Sequence, residues 1–324
     1  MITMTSAILG TGSALPEKIV TNDDLAKIVE TSDAWISERT GIRSRRIAVK
    51  ETTTTLSIEA GKRAIEDAGV PVEDIGLILV ATLTPDGSMP NSACKVQAAL
   101  GAVNAMCYEL NAACSGFMYG IQTAHAFVCA GIIKYALVIG AETLSKILDW
   151  TDRGTCVLFG DGAGAAVLGS SEKGIISVEG GADGSKGHFL TSGNVPLCNP
   201  YTKHEATNPY VEMDGQEVFK FAVRKIPAII QALTQKANME IEQLDRILLH
   251  QANQRIIQTA AKRLKLSEEL FPMNLDRYGN TSAASVAILL DEVHKSGELK
   301  SGDLIALAGF GGGLTWAGIL MHWI

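Results

Sequence analysis

Three polar residues stand where apolar stretches end. Cys114, in LNAACSGFMYGIQTAHAFV (110–128), opens an almost wholly apolar, helix-like run. His250 closes the apolar run in RILLHQAN (246–253), and Asn280 lies in YGNTSAAS (278–285), a loop leading into a helix of small residues. The partial positive charge at a helix start favours a thiolate over a thiol. A thiolate attacks thioesters readily, and its product is another thioester, so the acyl group stays activated. A histidine and an asparagine can both donate hydrogen bonds to one developing oxyanion. The glycine run GFGGG (309–313) can bring a backbone N–H to a second oxyanion, at the cysteine. Each residue also has a plainer reading: a small core thiol, a strand-end histidine bonded to backbone, and a helix-capping asparagine. Their shared position at element ends favours the chemical reading.

These positions need a frame. Strand-like segments such as YALVIGAE (135–142) and DLIALAGF (303–310) alternate with helical ones, the pattern of sheets covered by helices. The helix after Cys114 is apolar nearly all round, which implies burial between layers. AGVPVEDIGLILV (68–80) lies over ANMEIEQLDRILL (237–249) without a gap, and eight of these thirteen positions keep identity or apolar character. FGDGAG (159–164) is echoed by FGGGLT (310–315). The expected fold is α/β and internally duplicated, with helices sandwiched between two sheets. Residues 1–172 would form the half bearing Cys114, and 173–324 the half bearing His250, Asn280 and the glycine-rich loop, with a join near SSEKGII (170–176).

Composition narrows the class. A chain of 324 residues has room for two such halves. The longest apolar candidate, around 126–141, is cut by Lys134, so no membrane span is expected. The first residues lack a basic region followed by an apolar core, so no secretory signal is expected. The six cysteines show neither C-x-x-C pairs nor zinc-site spacing, which suggests reduced cytoplasmic thiols and no metal. A net charge of −7 argues against nucleic acid as a partner. GTGSALP (10–16) lacks the third glycine of a dinucleotide fingerprint, and GDGAGAA (160–166) lacks the lysine of a phosphate loop. Both read as close-packing turns. In NQRIIQTAAKRLKL (253–266), Ile256, Ile257, Ala260 and Leu264 form an apolar helical stripe, with Arg255, Lys262 and Arg263 outside it. Lys220 and Arg224 form another basic pair. These faces are either ordinary charged surface or a landing site for an acidic partner.

Taken in order, TSDAWISERTGIRSRR (31–46), NAACSGF, LDWTDRGT (148–155), FGDGAGAAVLG, HQANQRI (250–256), YGNTSAAS and GFGGG make the chain resemble the β-ketoacyl-acyl carrier protein synthase III family. Its members are condensing enzymes that initiate fatty acid synthesis. The resemblance runs from GTGSALPEKIVTNDDL to GFGGGLTWAGIL, essentially the whole chain. It implies a thiolase-like fold, duplicated and five-layered (α-β-α-β-α), in a cytoplasmic homodimer. Acyl-CoA and malonyl-acyl carrier protein would be substrates, with no cofactor and no membrane or nucleic-acid partner. Cys114 would be the acyl-accepting nucleophile, His250 and Asn280 its partners, and the N–H groups of Cys114 and Gly312 the oxyanion hole. Thr31, Trp35, Arg39, Arg153 and Phe219 would receive CoA. Met89 (reaching across the dimer), Leu144, Leu190 and Val211 would line the acyl pocket, and Arg255, Lys220, Lys262 and Arg263 would face the carrier protein.

The Cys-His-Asn set separates this family from elongating condensing enzymes, which have a second histidine, and from thiolases, which have a second cysteine. Plant-type polyketide synthases share the set, but TSDAWISERTGIR favours the initiating synthase. Met89 and Leu314 stand where many relatives have phenylalanine, and Gln216 where asparagine is common, which leaves primer preference open. Two alternatives stand beside this reading: a related condensing enzyme of secondary metabolism, and a thioester hydrolase, since cysteine hydrolases also use Cys, His and Asn in that order. A non-catalytic acyl-CoA or carrier-binding module is disfavoured by the intact trio.

Overall fold

A computed structural model describes residues 4–193, 196–202 and 208–324. Two sheets carry the fold. In the first the strand order is Thr5–Ala14, Gly162–Ser171, Tyr135–Glu142, Ile75–Ala81, Met106–Leu110. In the second it is Ile175–Ala182, Thr315–His322, Leu304–Gly311, Arg246–Leu249. Along each sheet the first two pairings are antiparallel and the third is parallel. The sheets therefore share one plan, and the first adds a further parallel strand at its edge.

The central strands read as continuous apolar runs because helices cover both of their faces. Leu304–Gly311 is buried at every position. Helices Gly116–Cys129 and Ser285–Lys295 lie between the sheets. Phe117, Met118, Ile121, Val286 and Leu289 pack there against Leu77, Leu79 and Val138 of one sheet and Leu248, Leu307 and Ile319 of the other. On the outer face of the first sheet, Leu56, Ala60 and Ala64 of helix Thr53–Ala68 meet Ile78, Val80 and Leu137. On the outer face of the second, Ile226, Ile229 and Leu233 of helix Gly215–Ala237, with Ile256 and Ile257 of Gln254–Leu264, meet Ile247 and Leu249. The result is five layers, α-β-α-β-α, the thiolase-like architecture.

The stretches aligned in sequence adopt the same conformation. Helix Thr53–Ala68 stops at left-handed Gly69 (φ 62°), then a 3-10 turn Val72–Asp74 leads into Ile75–Ala81. Helix Gly215–Ala237 stops at left-handed Asn238 (φ 53°), then a 3-10 turn Ile241–Gln243 leads into Arg246–Leu249. Glycine and asparagine end helices in this way because they tolerate positive φ. Among the described residues, no helix is long and apolar enough to cross a membrane.

Candidate active site

The two central helices begin alike. A 3-10 turn Ala113–Ser115 precedes Gly116–Cys129, and a 3-10 turn Ser282–Ala284 precedes Ser285–Lys295. The first residue of each turn is left-handed without being glycine, Ala113 at φ 46° and Ser282 at φ 48°. Such backbone is costly for a residue with a Cβ and clusters at functional sites. Each turn also rests on a glycine of the opposite sheet. A Cβ on Gly311 would lie 2.5 Å from the Cys114 backbone nitrogen, and one on Gly140 would overlap the Ala283 carbonyl. The glycine run predicted to approach the cysteine does so, with Gly311 making the closest contact.

His250 follows strand Arg246–Leu249, with its backbone N–H donating to the Ala308 carbonyl at 2.9 Å. Its Nδ1 lies 2.6 Å from Ser285 Oγ, and the ring stands edge-on to Phe310 with centroids 5.5 Å apart. Burial pushes its pKa down to about 3, so the ring is neutral. Ser285 Oγ also accepts the Gln251 N–H at 3.4 Å. With the Ser285 hydroxyl donating to His250 Nδ1, the hydrogen of the neutral ring sits on Nε2. In the Asn280 side chain, Oδ1 accepts the Ser282 N–H at 2.8 Å. That bond fixes which end of the amide is oxygen and leaves Nδ2 as a donor. The backbone of Asn280 bonds to Leu158 and Gly160, which holds its loop against the first half of the chain. With the ring hydrogen on Nε2, His250 and Asn280 offer the cavity two side-chain N–H donors.

Cys114 is buried, with Sγ 3.4 Å from Ser282 Oγ. Burial pushes its pKa up to about 12, opposed in part by Ser282 and by its own backbone N–H. The helix start is present, but loss of solvent outweighs it, and the sulfur rests as a thiol.

Cys114, His250, Asn280 and Gly312 line one cavity of about 450 Å³, whose walls include Leu144, Leu190, Val211 and Phe219. Met89 does not reach the cavity of its own chain and is 91% exposed. Trp35 carries Arg39 over its ring at 4.6 Å and Arg153 at 5.1 Å, and the Thr31 hydroxyl, four residues earlier in the chain, is buried with no hydrogen-bond partner among the described residues. This cluster joins the cavity rim through Asn253, a wall residue whose Nδ2 donates to the Arg39 carbonyl at 3.1 Å.

Lys220, Arg255, Lys262 and Arg263 are exposed, but three are engaged locally. Lys220 pairs with Glu217 at 2.6 Å, Arg255 donates to the Glu38 carbonyl at 2.6 Å, and Arg263 donates to the Val223 carbonyl at 2.9 Å. Sequence reasoning passed over Ser282, Ser285 and Glu142. The two serines sit inside the quoted NTSAAS run, and Glu142 ends an apolar strand as His250 does.

Comparison with known proteins bears on this site. A family model described as 3-oxoacyl-acyl-carrier-protein (ACP) synthase III matches residues 108–184, and one for its C-terminal part matches 234–323. A beta-ketoacyl-acyl-carrier-protein synthase III from Clostridium acetobutylicum is 50% identical over 318 residues, covering 98% of each chain. One from Caldanaerobacter subterraneus subsp. tengcongensis is 51% identical over 323 residues, again covering 98% of each. The crystal structure of 3-oxoacyl-acyl-carrier-protein synthase III from Aquifex aeolicus superposes with a TM-score of 0.93 at 44% identity, over 98% of this chain and 100% of that one.

Proposed function

The chain belongs to the β-ketoacyl-acyl carrier protein synthase III family, and on that premise we propose how it performs the initiating condensation of type II fatty acid synthesis. The observation that carries the proposal is one thiol and two neutral side-chain donors, Cys114, His250 and Asn280, on the wall of a single largely apolar cavity. Cys114 attacks the thioester of a short acyl-CoA, and the N–H groups of Cys114 and Gly312 stabilise the oxyanion that forms. CoA leaves, and malonyl-acyl carrier protein enters. As carbon dioxide departs, His250 Nε2–H and Asn280 Nδ2–H donate to the enolate oxygen. The enolate carbon then attacks the acyl-cysteine, giving 3-oxoacyl-acyl carrier protein. Decarboxylation drives the step, so this chemistry calls for no redox or metal cofactor.

Leu144, Leu190 and Val211 receive the acyl chain in this proposal. Met89, an exposed apolar side chain on its own subunit, completes the pocket of a partner in a homodimer. Trp35, Arg39 and Arg153 hold the CoA nucleotide by stacking and charge, with Thr31 and Phe219 along the path inward. Arg255, Lys220, Lys262 and Arg263 face the carrier protein. The chain divides at 172/173 into two copies of one plan, and the reaction belongs to the cytoplasm. The test is incubation with a panel of acyl-CoAs and malonyl-acyl carrier protein, with products read by mass spectrometry. A 3-oxoacyl product two carbons longer than its primer is expected. Hydrolysis of acyl-CoA without carbon–carbon bond formation would overturn the proposal.

A further inference from the structure

Cys114 must lose a proton to attack a thioester, and among the described residues neither His250 nor Asn280 hydrogen-bonds its sulfur. His250 is engaged with Ser285 through Nδ1, and Asn280 accepts the Ser282 N–H at Oδ1 and presents an amide donor. The polar atom in contact with the sulfur is Ser282 Oγ, at 3.4 Å. Ser282 is held there by left-handed backbone (φ 48°), with its hydroxyl on Cys114 and near enough to Glu142 to act on that carboxyl as a hydrogen-bond donor.

Glu142 ends strand Tyr135–Glu142, is fully buried and is not among the residues that line the cavity. It accepts from the hydroxyls of Thr82 and Thr84 and from the Leu83 N–H. Among the described residues, no lysine or arginine pairs with it. Burial raises the carboxyl from 4.5 to about 7, with the hydrogen bonds of Thr84, Ser282, Leu83 and Thr82 opposing. Its charge acts on Cys114 and on Lys146, and the Lys146 ammonium is tied to the carbonyls of Thr84 and Pro85. A buried carboxylate without a cation, one hydroxyl away from the reacting sulfur, is a group the condensation as described leaves unused.

We propose that Ser282 and Glu142 form the proton relay of Cys114, taking its proton during acylation and returning it after condensation. The inference rests on the acyl-transfer reading above. As the sulfur attacks the acyl-CoA carbonyl carbon, its proton passes to Ser282 Oγ and the Ser282 proton passes to Glu142. The bond from carbon to Cys114 forms, the bond to the CoA sulfur breaks, and CoA leaves as a thiolate that takes a proton from solvent. In the second half-reaction the enolate carbon attacks the acyl-cysteine and expels Cys114 as a thiolate. Glu142 then returns its proton through Ser282, and the site is reset with one solvent proton consumed per cycle. Ser282 touches the reacting sulfur, and Glu142 acts through it.

The experiment compares wild type with Ser282→Ala, which removes one hydroxyl, and Glu142→Gln, which keeps the shape and removes the charge. Acylation of Cys114 by acyl-CoA is followed in single turnovers across pH by intact mass, and malonyl-acyl carrier protein decarboxylation is measured separately without primer. Wild-type acylation should rise with pH to a break at about 7, where Glu142 ionises. Both variants should acylate roughly 100-fold more slowly, as expected for loss of a general base, and the break should vanish. Decarboxylation, which uses His250 and Asn280, should stay largely intact. Variants that acylate at the wild-type rate with the same break would overturn the relay. Equal loss of acylation and decarboxylation would also overturn it, making the pair a structural support. A wild-type chain that takes no acyl group from acyl-CoA would overturn the relay and the condensing reading together, whereas the preceding outcomes leave the condensing reading standing.

Discussion

Burial moves the two titratable groups of the cavity in opposite directions. Cys114 is pushed up to about 12 and His250 down to about 3, so both are uncharged at neutral pH. A thiolate–imidazolium pair of the kind a cysteine hydrolase uses is therefore disfavoured, and His250 is left as a neutral N–H donor. That assignment separates the half-reactions. His250→Ala or Asn280→Ala should lower malonyl decarboxylation by ~10²–10³, the usual consequence of losing one preorganised oxyanion donor. Acylation of Cys114 should fall much less. Carbon dioxide release and intact mass read the two steps separately, and equal damage to both would make the pair activators of the sulfur instead.

The positions of these side chains are set by paired turns and the glycines they rest on. Gly311 is required because a Cβ there would lie 2.5 Å from the Cys114 nitrogen, a main-chain atom with little room to give. Gly311→Ala should destabilise the fold by about 1–3 kcal/mol, as overpacking does, and should abolish most acylation by shifting the nucleophile's turn. Gly184→Ala, at a position with open space around it, serves as the control. Thermal unfolding and single-turnover acylation check both variants, and a Gly311→Ala enzyme that acylates normally would detach the glycine from the site. At this scale the repeat at 68–80 and 237–249 was legible because a helix stop, a turn and a buried strand each have local signatures. Ser282, Ser285 and Glu142 were not. A serine among alanines and a carboxylate at a strand end gain their roles only from what faces them across a layer, which no local pattern records. The rise in the Cys114 pKa was not legible either, since a helix start is visible in sequence and the loss of solvent around it is not.

For the whole molecule, an acidic chain would receive an acidic carrier on a local basic face. Arg255 begins helix Gln254–Leu264 and donates to the Glu38 carbonyl, so it also braces helix Asp33–Thr40, which carries Trp35 and Arg39. Arg255→Glu should raise KM for malonyl-acyl carrier protein and flatten its salt dependence, because screening then has less attraction to remove. Lys262→Glu should act in the same direction, more weakly, and without disturbing that brace. Acylation by free acyl-CoA should change less in both. Steady-state kinetics across ionic strength decide the matter, and unchanged carrier kinetics, or equal damage to both substrates, would return the basic face to ordinary surface.

If the acyl group passes through Cys114, a map of where that group goes must show it there. Incubation of the enzyme with isotopically labelled acyl-CoA, followed by proteolysis at a pH that preserves thioesters and by mass spectrometry, places the label on a peptide. One acyl group per chain is expected, on Cys114, with Cys94, Cys107, Cys129, Cys156 and Cys198 unlabelled. A label on any of those five in place of Cys114, or an enzyme that forms 3-oxoacyl product with Cys114 never acylated, would contradict it.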